Sequence, residues 1–196
     1  MHAPTTTAGS ATTLALKEWG AVVHALLQGR QHILLRKGGI HEKRFDHALG
    51  DRFIIMPTVA HSHTERVRAE HRDLLAPGAR DSSDEQFTVR AGVRLFDAIP
   101  VHDPATLPQI RDLHIWTDES VQADRVEFRP KHPVYVLVVQ AVELPTPVDV
   151  PRLDAYGGCR SWIDLPVPWN GEDGRAAVSA NTLQAVADRV RHTVGP

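Results

Sequence analysis

Two short stretches of this sequence carry side chains that could do chemistry. In the first, Arg36 and Lys37 close an apolar run, Gly38 and Gly39 follow, and Glu42, Lys43 and Arg44 come next. Cations beside paired glycines suit an anion. The glycines let backbone N–H groups face a ligand, and the cations hold a phosphate or a carboxylate. The same glycines also read as a plain turn that needs positive φ. In the second stretch, Pro57 and Thr58 lead to His61 and His63, with Glu65 and His71 beyond. Neutral imidazoles ligate zinc and other first-row divalent metals, and a carboxylate can complete the shell. His61 and His63 share a face only on an extended backbone and diverge on a helix. His61 also suits a general base, since an unperturbed imidazole titrates near neutrality, and Glu42 would help it activate water. His41, Glu42 and His47 are further candidates for a metal shell. No H-E-x-x-H or cysteine–histidine spacing accompanies them, so no metal or cofactor is assigned. The plain alternative is that most of the 12 histidines lie on the surface.

Cys159 sits in Gly157-Gly158-Cys159-Arg160-Ser161-Trp162. A nucleophile there would need a depressed thiol pKa and a partner base; Arg160 offers charge and a distant histidine the base. The plain reading is a small buried residue. Trp19, Trp116 and Trp162 read as core anchors, with a base-stacking platform as the alternative. Trp169, in a proline-flanked loop, reads as partly exposed. No Nudix box, Walker A loop or Rossmann fingerprint follows the 33–39 run.

The elements that must position these residues follow from periodicity. Trp19, Val22, Val23, Leu26 and Leu27 form one apolar stripe, which predicts a helix over 15–27 ended by Gly29. A strand over 21–27 turning through 28–31 is the competing reading. Short buried strands are predicted at 32–36 and 53–56, the second ended by Pro57. A mostly polar helix is predicted over 61–75, stopped by Pro77 and Gly78, and then a charged loop over 80–86. Alternation over 87–95 predicts a half-exposed strand. A short element is predicted at 114–117, a long central strand over 134–144, a proline-rich connection over 145–151 and a last strand at 161–165. A C-terminal helix begins near Ser179 or Asn181, with Leu183, Val186, Ala187, Val190 and Val194 on its apolar side. About six strands and three or four helices without regular βαβ alternation predict an α+β fold, with a mixed, mostly antiparallel sheet or small barrel.

The chain has 196 residues, 42% hydrophobic and 23% charged, with a formal net charge of -2. That composition suits one globular domain over 14–196 and excludes disorder of the whole chain. The charge gives no global attraction to nucleic acid or an anionic membrane, so such binding needs a local patch. One cysteine excludes an internal disulfide and a four-cysteine zinc site and suits a reducing cytoplasm, the expected location. No apolar run approaches the roughly 18–20 residues that span a bilayer, so no membrane partner is expected. Residues 1–13 read as a disordered tail without the features of a signal peptide.

Several pieces, taken in order, resemble a bacterial family of uncharacterised proteins, the domain-of-unknown-function 1802 family. They are Leu16-Lys17-Glu18-Trp19, the 33–40 run with Glu42, and Phe53-Ile54-Ile55-Met56-Pro57-Thr58 with His61. Ile115-Trp116, the strand around Tyr135 and the Tyr156 to Trp162 segment complete the set. Ser62 stands where family members commonly carry a glutamine. The resemblance extends over about 14–166 and implies no established activity. A helix, a glycine and a strand ending in arginine (Glu18 to Leu27, Gly29, Ile33 to Arg36) also look like the opening of PUA-like β-barrels, including the ASCH group. Such barrels often bind RNA or modified nucleotides.

The sequence therefore predicts a site joining Arg36, Lys37, Gly38, Gly39 and Glu42 to Pro57, Thr58 and His61. The leading reading is a binding module for an anionic ligand, a nucleic acid or nucleotide, held by Arg36, Lys37, Gly38, Gly39 and Thr58. The alternative is a phosphoester hydrolase using Glu42 and His61, with a divalent metal for which His61 and His63 are the weak candidates. A protein-interaction module is the third reading.

Overall fold

A computed structural model describes residues 11–37, 52–59 and 62–195. The first element departs from the sequence reading. Residues Thr13–Trp19 form a strand, β1, and only Gly20–Leu27 form a helix, α1. Tertiary pairing overrides the helical stripe here. β1 is hydrogen-bonded to a strand on each side, so its backbone groups are satisfied without a helix. Trp19, the first residue of the stripe, is extended at the helix N-terminus. The switch falls at Gly20, whose backbone presses on Gly78. A Cβ added at either glycine would overlap the other's backbone. Gly29 then leaves the helix at φ 68°, the left-handed conformation expected of it.

β2 (Ile33–Lys37) and β3 (Arg52–Thr58) fall where the apolar runs predict them. Pro57 lies within the end of β3, opposite Glu18 of β1. The predicted helix over 61–75 is broken instead. One turn, α2 (His63–Arg66), is followed by Val67 in extended conformation, φ −102° and ψ 132°. Val67 is held by an antiparallel bridge to Trp116. On either side, Arg68 N donates to Ile115 O at 3.0 Å and Thr117 N donates to Arg66 O at 2.9 Å. A 3-10 stretch over Ala69–Leu74 then runs into α3 (Leu75–Arg80), so Pro77 and Gly78 lie inside a helix that they were expected to stop. Pro77 falls in the first turn of α3, where its missing N–H costs little. Gly78 permits the crossing with α1.

β4 (Gln86–Pro100) and β5 (Val134–Pro151) form a long antiparallel pair with register shifts at Val89/Ala91 and Leu95/Asp97. β5 continues through the predicted proline-rich connection. The register passes from Glu143 opposite Ala91 to Val148 opposite Val89. Pro145 and Pro147 thus sit in the irregular stretch, where no ladder N–H is required of them. Between the two strands lie a 3-10 segment over Pro104–Leu113 and α4 (Asp118–Val121), which runs into a π turn over Gln122–Glu127. β6 (Trp162–Leu165), β7 (Arg175–Ala176) and α5 (Ala180–Val194) complete the described chain. Ser179 caps α5, its Oγ accepting from Thr182 N at 3.1 Å, and the predicted stripe is the buried one.

The strand order is β2-β5-β4-β3-β1-β6, with β7 on β5; only β1 and β3 run parallel. The fold is α+β with a mixed, mostly antiparallel sheet. The larger apolar cluster lies between the sheet and the helices and includes Leu16, Leu26, Leu34, Ile55, Val136 and Val190. A smaller cluster on the sheet's other side includes Ala15, Ile54, Phe87 and Leu165. β1 therefore buries both faces, with Leu16 and Glu18 turned toward the larger cluster. No helix among the described residues is long and apolar enough to cross a membrane.

Candidate functional site

β1 and β3 run parallel with Trp19 opposite Thr58, so both strands end at the same rim of the sheet. Thr58 Oγ1 donates to Glu18 O at 3.1 Å. Glu18 is buried, 2% exposed. Its Oε1 accepts from Trp19 N at 2.9 Å, and its Oε2 stands 3.9 Å from Nη1 of Arg36. β5, β4 and β3 separate β2 from β1 in the sheet. The Glu18–Arg36 contact therefore shows that the sheet curls until the end of β2 faces the end of β1.

Lys37 turns elsewhere. Its Nζ donates to His132 O at 2.8 Å and Val126 O at 3.2 Å, and desolvation lowers its pKa from the usual lysine value. Next to it, Arg125 Nε donates to Leu35 O at 2.9 Å, tying the 122–127 turn to β2. The Arg125 guanidinium lies over Trp116, 5.8 Å from the ring centroid. Trp116 meets Trp19 edge to face at 6.4 Å. On Trp19 the His63 ring is stacked at 3.8 Å and 21°. Burial, and then the charge of Arg66, push the His63 pKa down to about 4, so the ring is neutral at physiological pH. Arg66 itself is paired with Asp124.

Arg36, Glu18, Thr58, Trp19, Trp116, Arg125, β2 and Lys37 thus form a closed ring of contacts. A small groove lined by Trp19, Trp116, Ser120, Val121, Asp124 and Arg125 opens on this ring. It encloses no room even for a water-sized sphere, far short of the ~300–1,000 Å³ of pockets that enclose a small-molecule ligand. Any ligand at this groove must lie largely on the open surface.

Of the sequence-predicted residues, Arg36, Lys37 and Thr58 are brought to one rim. Arg36 and Thr58 both reach Glu18, and Lys37 holds backbone carbonyls. Gly38, Gly39, Glu42 and His61 lie outside the described residues, as do His41, Lys43, Arg44 and His47. His63, a candidate metal ligand, presents a buried ring face to Trp19. No group of three or more histidine, cysteine or carboxylate side chains fit to hold a metal occurs among the described residues. His71 lies between two guanidinium groups, with Arg30 Nη2 at 2.9 Å from Nδ1 and Arg68 Nη2 at 2.9 Å from Nε2. A neutral imidazole accepts only one of those bonds, and both cations join burial in lowering its pKa. Cys159 is exposed, against the expectation of a small buried residue. Trp116 is buried, Trp19 and Trp162 pack against the larger cluster, and Trp169 is half-exposed.

Glu18 and Arg125 were missed as site residues, and Trp116 was read first as a core anchor with a stacking role as the alternative. Glu18 carries a signal once β1 is read as a strand, because it occupies the same inward face as Leu16. Arg125 carries none, since its position rests on the fold of the 118–127 segment over β2.

The pieces behind the family resemblance also meet. Lys17 N donates to Ser161 O at 2.8 Å, and Lys17 Nζ donates to Gly157 O and Gly158 O at 3.0 and 3.2 Å. Trp162 is opposite Leu16 and packs edge to face on Phe53 at 5.0 Å. Tyr135 is opposite Arg36. No curated protein and no solved structure matches the chain at a significant level. A family described as "Domain of unknown function (DUF1802)" matches residues 15–189, nearly the whole of the sheet and helices that frame this rim, and the chain belongs to that family.

Proposed function

We propose that this protein is a binding module for an anionic partner of nucleotide or nucleic-acid chemistry, engaged on the open rim where β1, β2 and β3 end. The observation that carries this reading is the closed ring of contacts that gathers three cations and two indoles at one rim: Arg36 beside Glu18, Trp19 against Trp116, Arg125 over Trp116, and Lys37 at the end of β2. Cations hold phosphates through charge-assisted hydrogen bonds, and aromatic and guanidinium faces accept unstacked bases. A small groove on an open rim favours an extended chain of phosphates over an enclosed metabolite. In this reading Gly38 and Gly39 follow the cations of β2 in sequence and supply backbone N–H groups to the same anion, and Thr58 fixes the neighbouring strand end.

Binding of a fluorescent single-stranded oligonucleotide, followed by anisotropy, tests the proposal. The affinity should fall steeply between about 50 and 200 mM salt, as phosphate contacts require. A Lys37→Ala protein, checked by its thermal melt, should bind more weakly. Wild-type protein that shows no binding even at the lowest salt would overturn the reading.

A further inference from the structure

Lys37 fixes both ends of a short exposed loop. One of its acceptors, Val126 O, precedes Phe128, and the other belongs to His132. Between them run Glu127, Phe128, Arg129, Pro130 and Lys131, all exposed. Arg129 has φ 50°, the one positive value at a non-glycine residue among the described residues. Left-handed backbone strains a residue with a Cβ, and the proline that follows restricts it further. Glycine is the residue that relieves such strain, so an arginine at this position points to a use for its side chain. The turn itself is well formed, with His132 N donating to Arg129 O at 2.9 Å and Phe128 N donating to Ala123 O at 3.2 Å.

The side chains are as unusual as the backbone. Phe128 is 54% exposed, the highest value among the large hydrophobic residues described. The Arg129 guanidinium lies over its ring, 5.1 Å from the centroid. One face of the phenyl ring thus meets a cation and the ring as a whole remains open to solvent. Lys131 adds a second exposed cation, and the loop's one carboxylate, Glu127 at its base, accepts from Gln122 Nε2 at 3.1 Å. A flat apolar ring backed by a guanidinium, with another cation two residues on, matches the pairing of base stacking and phosphate attraction by which single strands are held.

We propose that the Phe128 to His132 loop is a contact site for single-stranded nucleic acid, in which Phe128 stacks on a base and Arg129 and Lys131 hold the flanking phosphates. The inference rests on the binding function proposed above and assigns it a specific tip. Lys37 acts here as a positioning residue, because it holds the loop base through carbonyls. The nucleic-acid class is favoured over an anionic membrane, since one phenyl ring and two cations bury too little apolar surface to anchor a protein of net negative charge.

The test compares wild type with Phe128→Ala and Arg129→Gly in oligonucleotide binding, alongside thermal melts and flotation with phosphatidylserine vesicles. Phe128→Ala should weaken oligonucleotide binding by about 5- to 100-fold, the loss of one stacked base. Arg129→Gly should melt at the same or a higher temperature, because it removes the strain, and still bind more weakly with a shallower salt dependence. Full-strength binding by both variants would overturn the loop while leaving the rim as the binding surface. Wild-type protein that binds no oligonucleotide would overturn both readings. Phe128-dependent flotation without oligonucleotide binding would assign the loop to membranes and likewise overturn the proposal.

Discussion

Oε2 of Glu18 lies 3.9 Å from Nη1 of Arg36, at the point where the curl of the sheet brings the end of β2 to the end of β1. Both side chains are withdrawn from water, 2% and 11% exposed. A buried pair of this kind gains little over a well-packed apolar pair, yet breaking it by removing one partner is destabilising, by up to about 3–5 kcal/mol. Glu18→Gln should therefore destabilise the protein by a few kcal/mol in urea unfolding. A Glu18→Gln, Arg36→Met double variant should lose less than the sum of the single changes. An unchanged urea midpoint for Glu18→Gln would show that the pair does not hold the rim together.

Acid should loosen the fold through its buried histidines. Desolvation, and then the charge of Arg68, push the His114 pKa down to about 3, as burial pushes that of His63 to about 4. Both values lie below the ordinary histidine value of 6.5. The folded state therefore keeps these rings neutral while the unfolded chain takes up protons. Stability is fully present above about pH 6.5 and falls as the pH drops toward 4 and then 3, by about 1.4 kcal/mol per pH unit for each ring. His32 and His71, also shifted down, add to the same slope. The urea midpoint should be lower at pH 5 than at pH 7, and His114→Gln should remove about one proton from the dependence. A midpoint that holds or rises on acidification would contradict this.

The α1–α3 crossing makes a third expectation. A Cβ at Gly20 would overlap the Gly78 carbonyl, and one at Gly78 would overlap Ala21 N. Alanine raises helix propensity by about 1 kcal/mol over glycine. Here the helices must separate, and overpacking of this kind costs about 1–3 kcal/mol. Gly20→Ala and Gly78→Ala should each lower the thermal midpoint. A variant that melts at or above the wild-type temperature would show that the crossing relaxes freely.

These same glycines show where sequence reasoning stopped. The stripe from Trp19 to Leu27 was readable because α1 is a regular helix, and α5 was readable from its cap and period. The 15–19 segment was misread because what makes it a strand, its pairing to β3 and β6, is not local. The break at Val67 depends on Trp116, 49 positions away in the chain, and leaves no mark in the 61–75 pattern. Arg36, Lys37 and Thr58 could be named from residue type and their place at strand ends. Glu18 could not, since a carboxylate within a supposed helix reads as solvent-exposed until the strand turns it inward.

Lys37 gives the expectation in which the sequence and the structure suggest different mechanisms. Next to Gly38 and Gly39 it reads as a direct phosphate ligand, yet its ammonium donates to His132 O and Val126 O. If it acts through the loop, Lys37→Met should raise amide hydrogen exchange across 127–133 while β2 and β5 stay protected, because Lys37 holds a carbonyl at each end of that loop. The cost to global stability should stay within about 1–2 kcal/mol, the usual net worth of hydrogen bonds to a charged donor. Oligonucleotide affinity should fall together with the gain in exchange, and Lys37→Arg, which restores donors but not a compact ammonium, should recover only part of both. If affinity is lost while exchange across 127–133 is unchanged, the ammonium binds phosphate itself and the loop does not depend on it.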